Sequence, residues 1–173
     1  KHALATAVDL QPTFIKAQLL LAEAYLRTRD IESAKKETQK VLERQPANYQ
    51  AKLTLGNVYM AEKEFILAQK TFESMIDMAP GNPVGYFRLG VLQRVLGRND
   101  LALKNFEKAL AINPKLMNVF GNVVLVDAAQ KEYDRALERC QRQLKIVEDS
   151  PSAVAVVYNL MGGLYLAQRK TSI

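Results

Sequence analysis

The sequence contains very little cysteine and histidine. Among its 173 residues there is one cysteine, Cys140, and one histidine, His2. A single cysteine excludes an internal disulfide, and the two residues together cannot supply the four ligands of a structural zinc site. Nucleophilic catalysis needs a histidine or another base beside a Ser, Cys or Thr, so the composition argues against an enzyme. We therefore predict no catalytic residue, no metal site and no cofactor.

Phosphate-binding glycine motifs and long apolar runs are also missing. No G-x-G-x-x-G or phosphate-loop pattern occurs. Residues 150–168 carry no charge and approach the roughly 20 apolar residues of a membrane span. However, Pro151, Asn159 and Gly162 dilute this segment, and we predict a buried repeat helix there and no membrane span. No signal peptide is visible before Pro12, and the sequence leaves the compartment open between cytoplasm and periplasm.

What the sequence does contain is proline at a fixed interval. Pro12, Pro46, Pro80 and Pro114 follow one another at equal steps of thirty-four positions. The last of them ends the stretch "ALAINP", in which good helix formers are stopped by asparagine and proline, so we predict a helix end at about Ile112. A period of this length indicates a repeat architecture.

Apolar columns recur with the same period. Nine residues after each proline stands a large apolar residue followed by a small or modest one. Further along each repeat stands an alanine, and four residues after the alanine stands another packing residue. The columns are Leu21–Ala22, Leu55–Gly56, Leu89–Gly90 and Val123–Val124, then Ala34, Ala68, Ala102 and Ala136, then Thr38, Phe72, Phe106 and Cys140. Spacings of three and four place each set on one helix face.

The combined pattern of L-G-x-x-Y, then A-x-x-x-F, then P, repeated at the proline interval, resembles the tetratricopeptide repeat (TPR), in which each unit is two antiparallel helices. The resemblance covers nearly the whole chain. It implies an all-α, right-handed superhelical solenoid in which small residues let neighbouring helices approach closely. It further implies a non-enzymatic protein-protein interaction scaffold with a concave groove, lined by the first helices, for a peptide or partner segment.

The period predicts a single array over residues 1–173. Residues 1–12 are expected to form the second helix of a truncated repeat, and residues 151–173 the first helix of a further repeat. Four complete repeats are predicted over residues 13–46, 47–80, 81–114 and 115–150. We expect the array to be part of a longer one, and apolar terminal helices suggest self-association as a hypothesis.

The period breaks once in this alignment. The step from Val123 to Met161 is longer than the usual period by four, so the fourth repeat is predicted to carry four extra residues. One extra turn on the helix that begins near Tyr133 is the favoured interpretation, because four residues nearly match a helical turn. The alternative is a partner contact at the lengthened helix or its turn. The same alignment places Gly162 and Gly163 at close-packing positions.

Asp127 and Cys140 carry reactive groups, but the sequence predicts a structural role for each. Asp127 stands where Tyr25 and Tyr59 stand in earlier repeats, and we expect it to pair with a nearby Lys or Arg. Cys140 occupies the Phe72 and Phe106 column and is expected to be a small buried hydrophobe.

The predicted peptide groove follows from the resemblance, residue by residue. Its candidate residues are Leu53, Asn57, Phe87, Arg88, Val91, Asn118, Asn122 and Asn159. The wider lining predicted on the same basis includes Lys16, Leu20, Glu23, Gln50 and Thr54. Asparagine can donate and accept at once, which suits an extended peptide backbone, although surface asparagines that only aid solubility are the alternative. Of the positions that clamp acidic chaperone tails in related repeats, only Arg88 fits, so we expect a mixed apolar and polar ligand.

Two other classes of function remain open at this point. The chain could be a structural spacer or oligomerisation segment of a longer protein. Nucleic-acid binding is less favoured, because the net charge of +6 is modest and the basic residues of the second helices alternate with glutamates.

Overall fold

The computed structural model describes Thr6 and residues 14–170. Within residues 14–170 there are nine helices and no strand. They are α1 Ile15–Arg27, α2 Ile31–Arg44, α3 Tyr49–Ala61, α4 Phe65–Met78, α5 Pro83–Val95, α6 Asn99–Ile112, α7 Met117–Ala129, α8 Tyr133–Ile146 and α9 Pro151–Lys170. The predicted helix over residues 1–12 lies, apart from Thr6, outside the described residues, as do the last three residues of the chain.

The repeat period is unbroken. The first helices begin at Ile15, Tyr49, Pro83, Met117 and Pro151, and each start follows the previous one by the same thirty-four positions that separate the prolines. Helix α8 has 14 residues, the same length as α2, α4 and α6. The predicted extra turn on the helix beginning at Tyr133 is therefore wrong. Helix α9 is the exception, with 20 residues where α1, α3, α5 and α7 have 13.

The error has a physical cause. Four residues nearly complete a helical turn, so a motif displaced by four residues still falls on almost the same helix face. Val157 lies one full period after Val123 and is fully buried, which makes it the true member of that column. Gly162 and Gly163, expected at close-packing positions, are exposed, and a Cβ at either would meet nothing within 4 Å among the described atoms.

The chain divides into two compact units, Lys1–Gly81 and Asn82–Ile173. In the first, α1 packs on α2 and α3 on α4, and α2 also packs on α3. Leu19, Val41 and Ala51 form a buried cluster between these helices. In the second, α5 packs on α6, α7 on α8, and α9 lies against α7 and α8. Each helix pair buries its apolar face by stacking on the next pair of its unit.

Asparagine caps and a proline stop determine several of the helix ends. The side chains of Asn48 and Asn82 accept hydrogen bonds from the amides of Ala51 and Val84 at 2.9 and 3.0 Å, which caps α3 and α5. Helix α6 ends at Ile112, one residue before Asn113, as predicted from "ALAINP".

The turn inside each helix pair contains one left-handed residue at the same repeat position. These residues are Arg29, Lys63, Gly97 and Lys131, with φ of 60°, 62°, 71° and 62°. Only Gly97 adopts this conformation without a Cβ penalty. The turn geometry is therefore kept even where the sequence does not favour it locally.

Close approach at glycine is confirmed within each unit. A Cβ on Gly90 would lie 2.6 Å from Cε1 of Phe106, and a Cβ on Gly56 would overlap the Phe72 ring. Both phenylalanines are fully buried. In α7 and α8 the same two positions hold Val124 and Cys140, so a larger first-helix residue faces a smaller second-helix one. The side chains of the two helices therefore fill this contact together, and a larger side chain on one helix accompanies a smaller one on the other.

Candidate binding surfaces

The first helices of the N-terminal unit form a face with two clefts. Nε2 of Gln50 on α3 donates to Oε1 of Glu23 on α1 at 2.7 Å. A cleft of about 440 Å³ is lined by Ile15, Lys16, Leu19, Leu20, Glu23 and Gln50, and one of about 370 Å³ by Glu23, Leu26, Arg27 and Asn57. Glu23 belongs to both clefts, and Asn57 of the predicted groove lines the second.

Two other predicted residues of α3 are less accessible. Leu53 is half-buried. Thr54 is 1% exposed, and its hydroxyl donates to the carbonyl of Gln50 at 3.0 Å. The expectation that Thr54 lines a groove is therefore wrong, because the helix turns this side chain inward and its polar group is satisfied by its own helix.

The candidates on α5 take part in packing. Phe87 and Val91 are half-buried against a cluster that includes Phe106 and Val119. The centroids of the Phe87 and Phe106 rings are 6.1 Å apart. These contacts limit how much of Phe87 a ligand can reach, because the ring already supports the α5–α6 contact.

Arg88 is the half-buried cation of α5. Its Cζ lies 5.5 Å from the centroid of the Phe87 ring, and its Nε is buried without a hydrogen-bond partner among the described residues. Burial lowers the pKa of the Arg88 guanidinium from its usual value.

The asparagine candidates of the C-terminal unit lie on two helices. Asn118 on α7 and Asn159 on α9 are exposed, and Asn122 on α7 is half-buried. Nδ2 of Asn122 donates to the carbonyl of Asn118 at 2.8 Å, so one of its donors is used within its own helix.

Asp127 is the centre of a buried ionic network, which confirms the expected pairing. Its carboxylate is fully buried; Nη2 of Arg135 lies 2.8 Å from Oδ1, and Nε of Arg139 lies 3.0 Å from Oδ2. Nη2 of Arg139 also lies 2.7 Å from Oε1 of Glu107. Burial, with a contribution from the Asp127 charge, raises the pKa of the Cys140 thiol to about 11. Cys140 is fully buried, as expected for a packing residue.

A cleft that we did not predict lies on the opposite side of α7 from the first-helix candidates. This α6–α8 cleft measures about 450 Å³ and is lined by Glu107, Leu110, Ala111, Pro114, Phe120, Val123, Arg139, Arg142, Gln143 and Ile146. In the sequence, Pro114 and Val123 are members of repeat columns, and nothing indicates that the lining residues share a cleft.

The N-terminal unit has a cleft at the equivalent place, two repeats earlier. This α2–α4 cleft measures about 360 Å³ and is lined by Leu42, Pro46, Lys52, Leu55, Lys70, Thr71 and Ser74. Lys52, Thr71 and Ser74 are the repeat equivalents of Phe120, Arg139 and Arg142. A comparison of the two repeats would have revealed this difference in chemistry.

Two features are absent from the part of the chain that the structure describes. No group of three or more His, Cys, Asp or Glu side chains is placed to hold a metal ion. Among the described helices, none combines the length and apolar character needed to cross a membrane.

The sequence and the fold both match known repeat proteins. One tetratricopeptide-repeat model matches residues 83–116 and a second matches residues 1–55, together just over half of the chain. No curated protein sequence matches significantly. The structure is similar to TTC0263, a thermophilic TPR protein of Thermus thermophilus, with a TM-score of 0.75, 15% identity and coverage of 91% of this chain and 87% of that one.

Crystal structures of MamA are similar as well. One has a TM-score of 0.70 and 18% identity, with coverage of 87% of this chain and 88% of the other. A MamA fragment from Desulfovibrio magneticus RS-1 has a TM-score of 0.69 and 17% identity, with coverage of 86% and 84%. At these identities the likeness concerns the fold, an all-α repeat solenoid. Together with the two sequence matches, it shows that this chain belongs to the tetratricopeptide-repeat family, whose members are in general protein-interaction scaffolds.

Proposed function

We propose that this chain is a non-enzymatic scaffold whose first helices bind an extended peptide segment of a partner protein. The observation that carries the proposal is the pair of clefts along α1 and α3, which share Glu23. Leu20 offers apolar contact there, and Glu23, Gln50 and Asn57 offer hydrogen-bonding groups. This mixture suits a peptide with alternating apolar and polar side chains.

In the C-terminal unit, we propose that Arg88, Val91, Asn118, Asn122 and Asn159 contribute to the same function. Asn122 keeps its amide oxygen and one N–H for a ligand after bonding to Asn118. Phe87 contributes less than its size suggests, because its ring packs on Phe106.

The test starts from a phage-displayed library of short random peptides selected on the whole chain. Enriched peptides are synthesised with a fluorescent label, and their Kd values are measured by anisotropy on Leu20→Lys, Asn57→Ala and Asn122→Ala. We expect a loss of about fivefold or more for each variant that touches the bound peptide. The control is Lys104→Ala on the exposed face of α6. Equal loss in the control and the first-helix variants, or no loss in any of them, contradicts the proposal.

Self-association through α9 is a second candidate function, favoured by the outward face of that helix. Tyr158 is 59% exposed and Leu166 is 65% exposed, on either side of the exposed Gly162. Tyr158 stands at the position of Gly56 and Gly90, so a large exposed side chain occupies the place where those glycines contact a ring.

This face is self-complementary for an antiparallel crossing with a second copy of α9. Tyr158 and Leu166 lie four residues before and after Gly162, so each Tyr158 would meet the Leu166 of the other copy, with the glycines at the crossing point. Sedimentation equilibrium is the measurement. We expect a concentration-dependent dimer that Leu166→Glu abolishes and that Leu101→Glu, at an exposed position of α6, leaves unchanged. A monomer at all concentrations, or equal effects of both variants, removes this candidate.

A further inference from the structure

The α6–α8 cleft has apolar walls contributed by three helices. Leu110 and Ala111 come from α6, Phe120 and Val123 from α7, and Ile146 from α8. Phe120 and Val123 are buried and form the base, whereas Ile146 is 42% exposed and stands at the rim. A cavity of about 450 Å³ with such walls is large enough to receive one large apolar side chain and its neighbours.

The base of the cleft is held in place by a polar side chain. Gln143 is 4% exposed, and its Nε2 donates to the carbonyl of Pro114 at 2.8 Å. This bond ties α8 to the turn between α6 and α7, so the walls are positioned before any ligand arrives. A preformed cavity loses less conformational entropy on binding than one that must be assembled.

The two arginines at the rim differ in whether they already have an acidic partner. The guanidinium of Arg139 is engaged by Glu107 at 2.7 Å and by Asp127 at 3.0 Å. Arg142 is exposed and makes no hydrogen bond or ion pair with another described residue. Glu107 is the acidic residue of the lining and is already paired, so the cleft presents one uncompensated guanidinium beside an apolar cavity.

The equivalent α2–α4 cleft shows that the backbone alone does not create this chemistry. Lys52 replaces the phenylalanine at the base, and Ser74 replaces Arg142 at the rim. Nζ of Lys52 donates to Oγ of Ser74 at 3.2 Å, so a polar bridge crosses the place where the apolar cavity lies in the other unit. The α6–α8 cleft thus differs from its repeat equivalent in its apolar base and in the guanidinium of Arg142 at its rim, whereas the cations of the α2–α4 cleft are the amines of Lys52 and Lys70.

We propose that the α6–α8 cleft binds a short segment of a partner protein in which a large apolar side chain stands beside a carboxylate. The apolar side chain enters between Leu110, Phe120 and Ile146, and the carboxylate pairs with Arg142. A planar guanidinium can bind a carboxylate through two parallel hydrogen bonds, which fixes the orientation of the segment as well as its charge. The α6–α8 cleft shares no lining residue with the first-helix clefts of the proposed function, and neither proposal depends on the other.

The experiment is a differential selection with a phage-displayed library of short random peptides. One arm selects on the whole wild-type chain, and the other selects on the chain carrying Arg142→Glu and Ile146→Lys. Both changes fall on exposed rim positions, so the fold is expected to survive, and circular dichroism with urea unfolding checks this. We expect peptides enriched only on the wild type, and we expect them to share a large apolar residue next to Asp or Glu.

The matched control carries Ser74→Glu in the α2–α4 cleft and Met78→Lys at the repeat equivalent of Ile146. Met78 is 40% exposed, close to the 42% of Ile146, and both lie at the end of a second helix. Peptides from the wild-type arm should bind this control with unchanged Kd. If the control and the α6–α8 variant lose the same peptides, or if no peptide is specific to the wild type, the proposal is overturned.

A second measurement tests the carboxylate. For one selected peptide, anisotropy should give a Kd about tenfold weaker for Arg142→Gln and a partial recovery for Arg142→Lys. When the Asp or Glu of the peptide is changed to the amide, the affinity for the wild-type chain should fall. The same change should cause no further loss of affinity for Arg142→Gln, because the partner of the carboxylate is already gone. Selected peptides without an acidic residue, or independent losses from the two changes, contradict the assigned occupant. Because the first-helix variants Leu20→Lys and Asn57→Ala should leave this binding unchanged, the two proposals fail separately.

Discussion

The two units use one repeat plan for different interiors. In the N-terminal unit, Tyr59 and Thr71 occupy the positions that Asp127 and Arg139 occupy in the C-terminal unit two repeats later. The N-terminal unit fills this place with an aromatic ring, over which Nζ of Lys35 lies 5.6 Å from the centroid. The C-terminal unit fills it with a buried ionic network. The helix lengths are the same in both cases, so the same backbone arrangement accommodates either an aromatic ring or a buried ionic network between the first and second helices.

What the units share is the contact between a small first-helix residue and a ring on the second helix. We expect Gly90→Val to cost about 3 kcal/mol of unfolding free energy, because even a Cβ would lie 2.6 Å from Phe106. Phe106→Cys should cost about 3–4 kcal/mol by leaving a cavity. Together they reproduce the Val124–Cys140 pair of α7 and α8, so the double variant should lose less than the sum by about 2 kcal/mol.

Urea unfolding of the four proteins measures this coupling. Hydrogen exchange of α5 and α6 checks that the loss is local to the C-terminal unit. The corresponding control is Gly121→Val, at a helix position where a Cβ meets nothing within 4 Å among the described atoms. If the losses of unfolding free energy from Gly90→Val and Phe106→Cys are strictly additive, a smaller side chain at position 106 does not make room for a larger one at position 90.

What the units do not share is the Asp127 network. Asp127→Asn removes the charge that Arg135 and Arg139 face, and the carboxylate position is fully buried. We expect a loss of about 2 kcal/mol, less than the roughly 3–5 kcal/mol usual for a broken buried pair, because both arginines keep some contact with solvent. Tyr59→Phe, the control in the N-terminal unit, keeps the ring and should change stability by under about 1 kcal/mol. Thermal and urea unfolding of both variants measure the difference, and equal losses would mean that the network adds nothing particular.

The sequence predicts those features that repeat. The proline and asparagine stop at Ile112 and the close helix approach at Gly56 and Gly90 each depend on a few neighbouring residues, and the structure confirms them. That the approach is made against the Phe72 and Phe106 rings was not predicted. The misplaced insertion shows the limit. Met161 and Gly162 copy the motif one turn late, on nearly the same face, whereas the start of α9 at Pro151 repeats the start of α5 at Pro83. Proline at the first helical position therefore marks the repeat period more reliably than the Met161–Gly162 motif does.

The candidate sites are less predictable, and for a different reason. Whether Thr54 faces a ligand or its own helix depends on the rotation of α3 within the unit, which no single column specifies. The α6–α8 cleft depends on the difference between columns, with Phe120 and Arg142 in place of Lys52 and Ser74. A search for similarity between repeats overlooks this kind of site.

A smaller effect separates the turn between α3 and α4 from the turn between α5 and α6. Gly97 has φ of 71° and open space around its Cβ position, so Gly97→Ala should cost about 1 kcal/mol through backbone strain alone. Lys63, at the same turn of the N-terminal unit, has φ of 62° and already carries this strain. Lys63→Gly should therefore stabilise by about 0.5 kcal/mol, after the entropy gained by the unfolded chain is subtracted. Urea midpoints of both variants are the measurement.

The control for the turns is the same chemical change inside a helix. Gly121→Ala in α7 should stabilise by about 0.5–1 kcal/mol, because alanine favours the helix and nothing described stands within 4 Å of its Cβ. Opposite signs for Gly97→Ala and Gly121→Ala identify strain as the cause. The same sign for both would contradict the turn geometry.

The smallest expected effect is a surface ion pair of the N-terminal unit that has no counterpart two repeats later. Nζ of Lys35 lies 2.9 Å from Glu62, whereas the equivalent positions hold Leu103 and Gln130. Lys35→Met should cost about 0.5 kcal/mol, as is usual for a partly exposed pair. Lys36→Met, one residue along and exposed, is the control and should cost less.

The pH dependence distinguishes the ion pair from lost packing. The hydrogen bond to Glu62, first among the causes, raises the pKa of Lys35 above its ordinary value of 10.5. A raised folded-state pKa stabilises fully below pH 10.5, and the contribution disappears as pH rises through the folded-state value. The stability difference between wild type and Lys35→Met should therefore persist at neutral pH and vanish in strong alkali. A difference that is independent of pH would assign the effect to the aliphatic part of Lys35 on the Tyr59 ring, and the comparison between the units would then be one of packing.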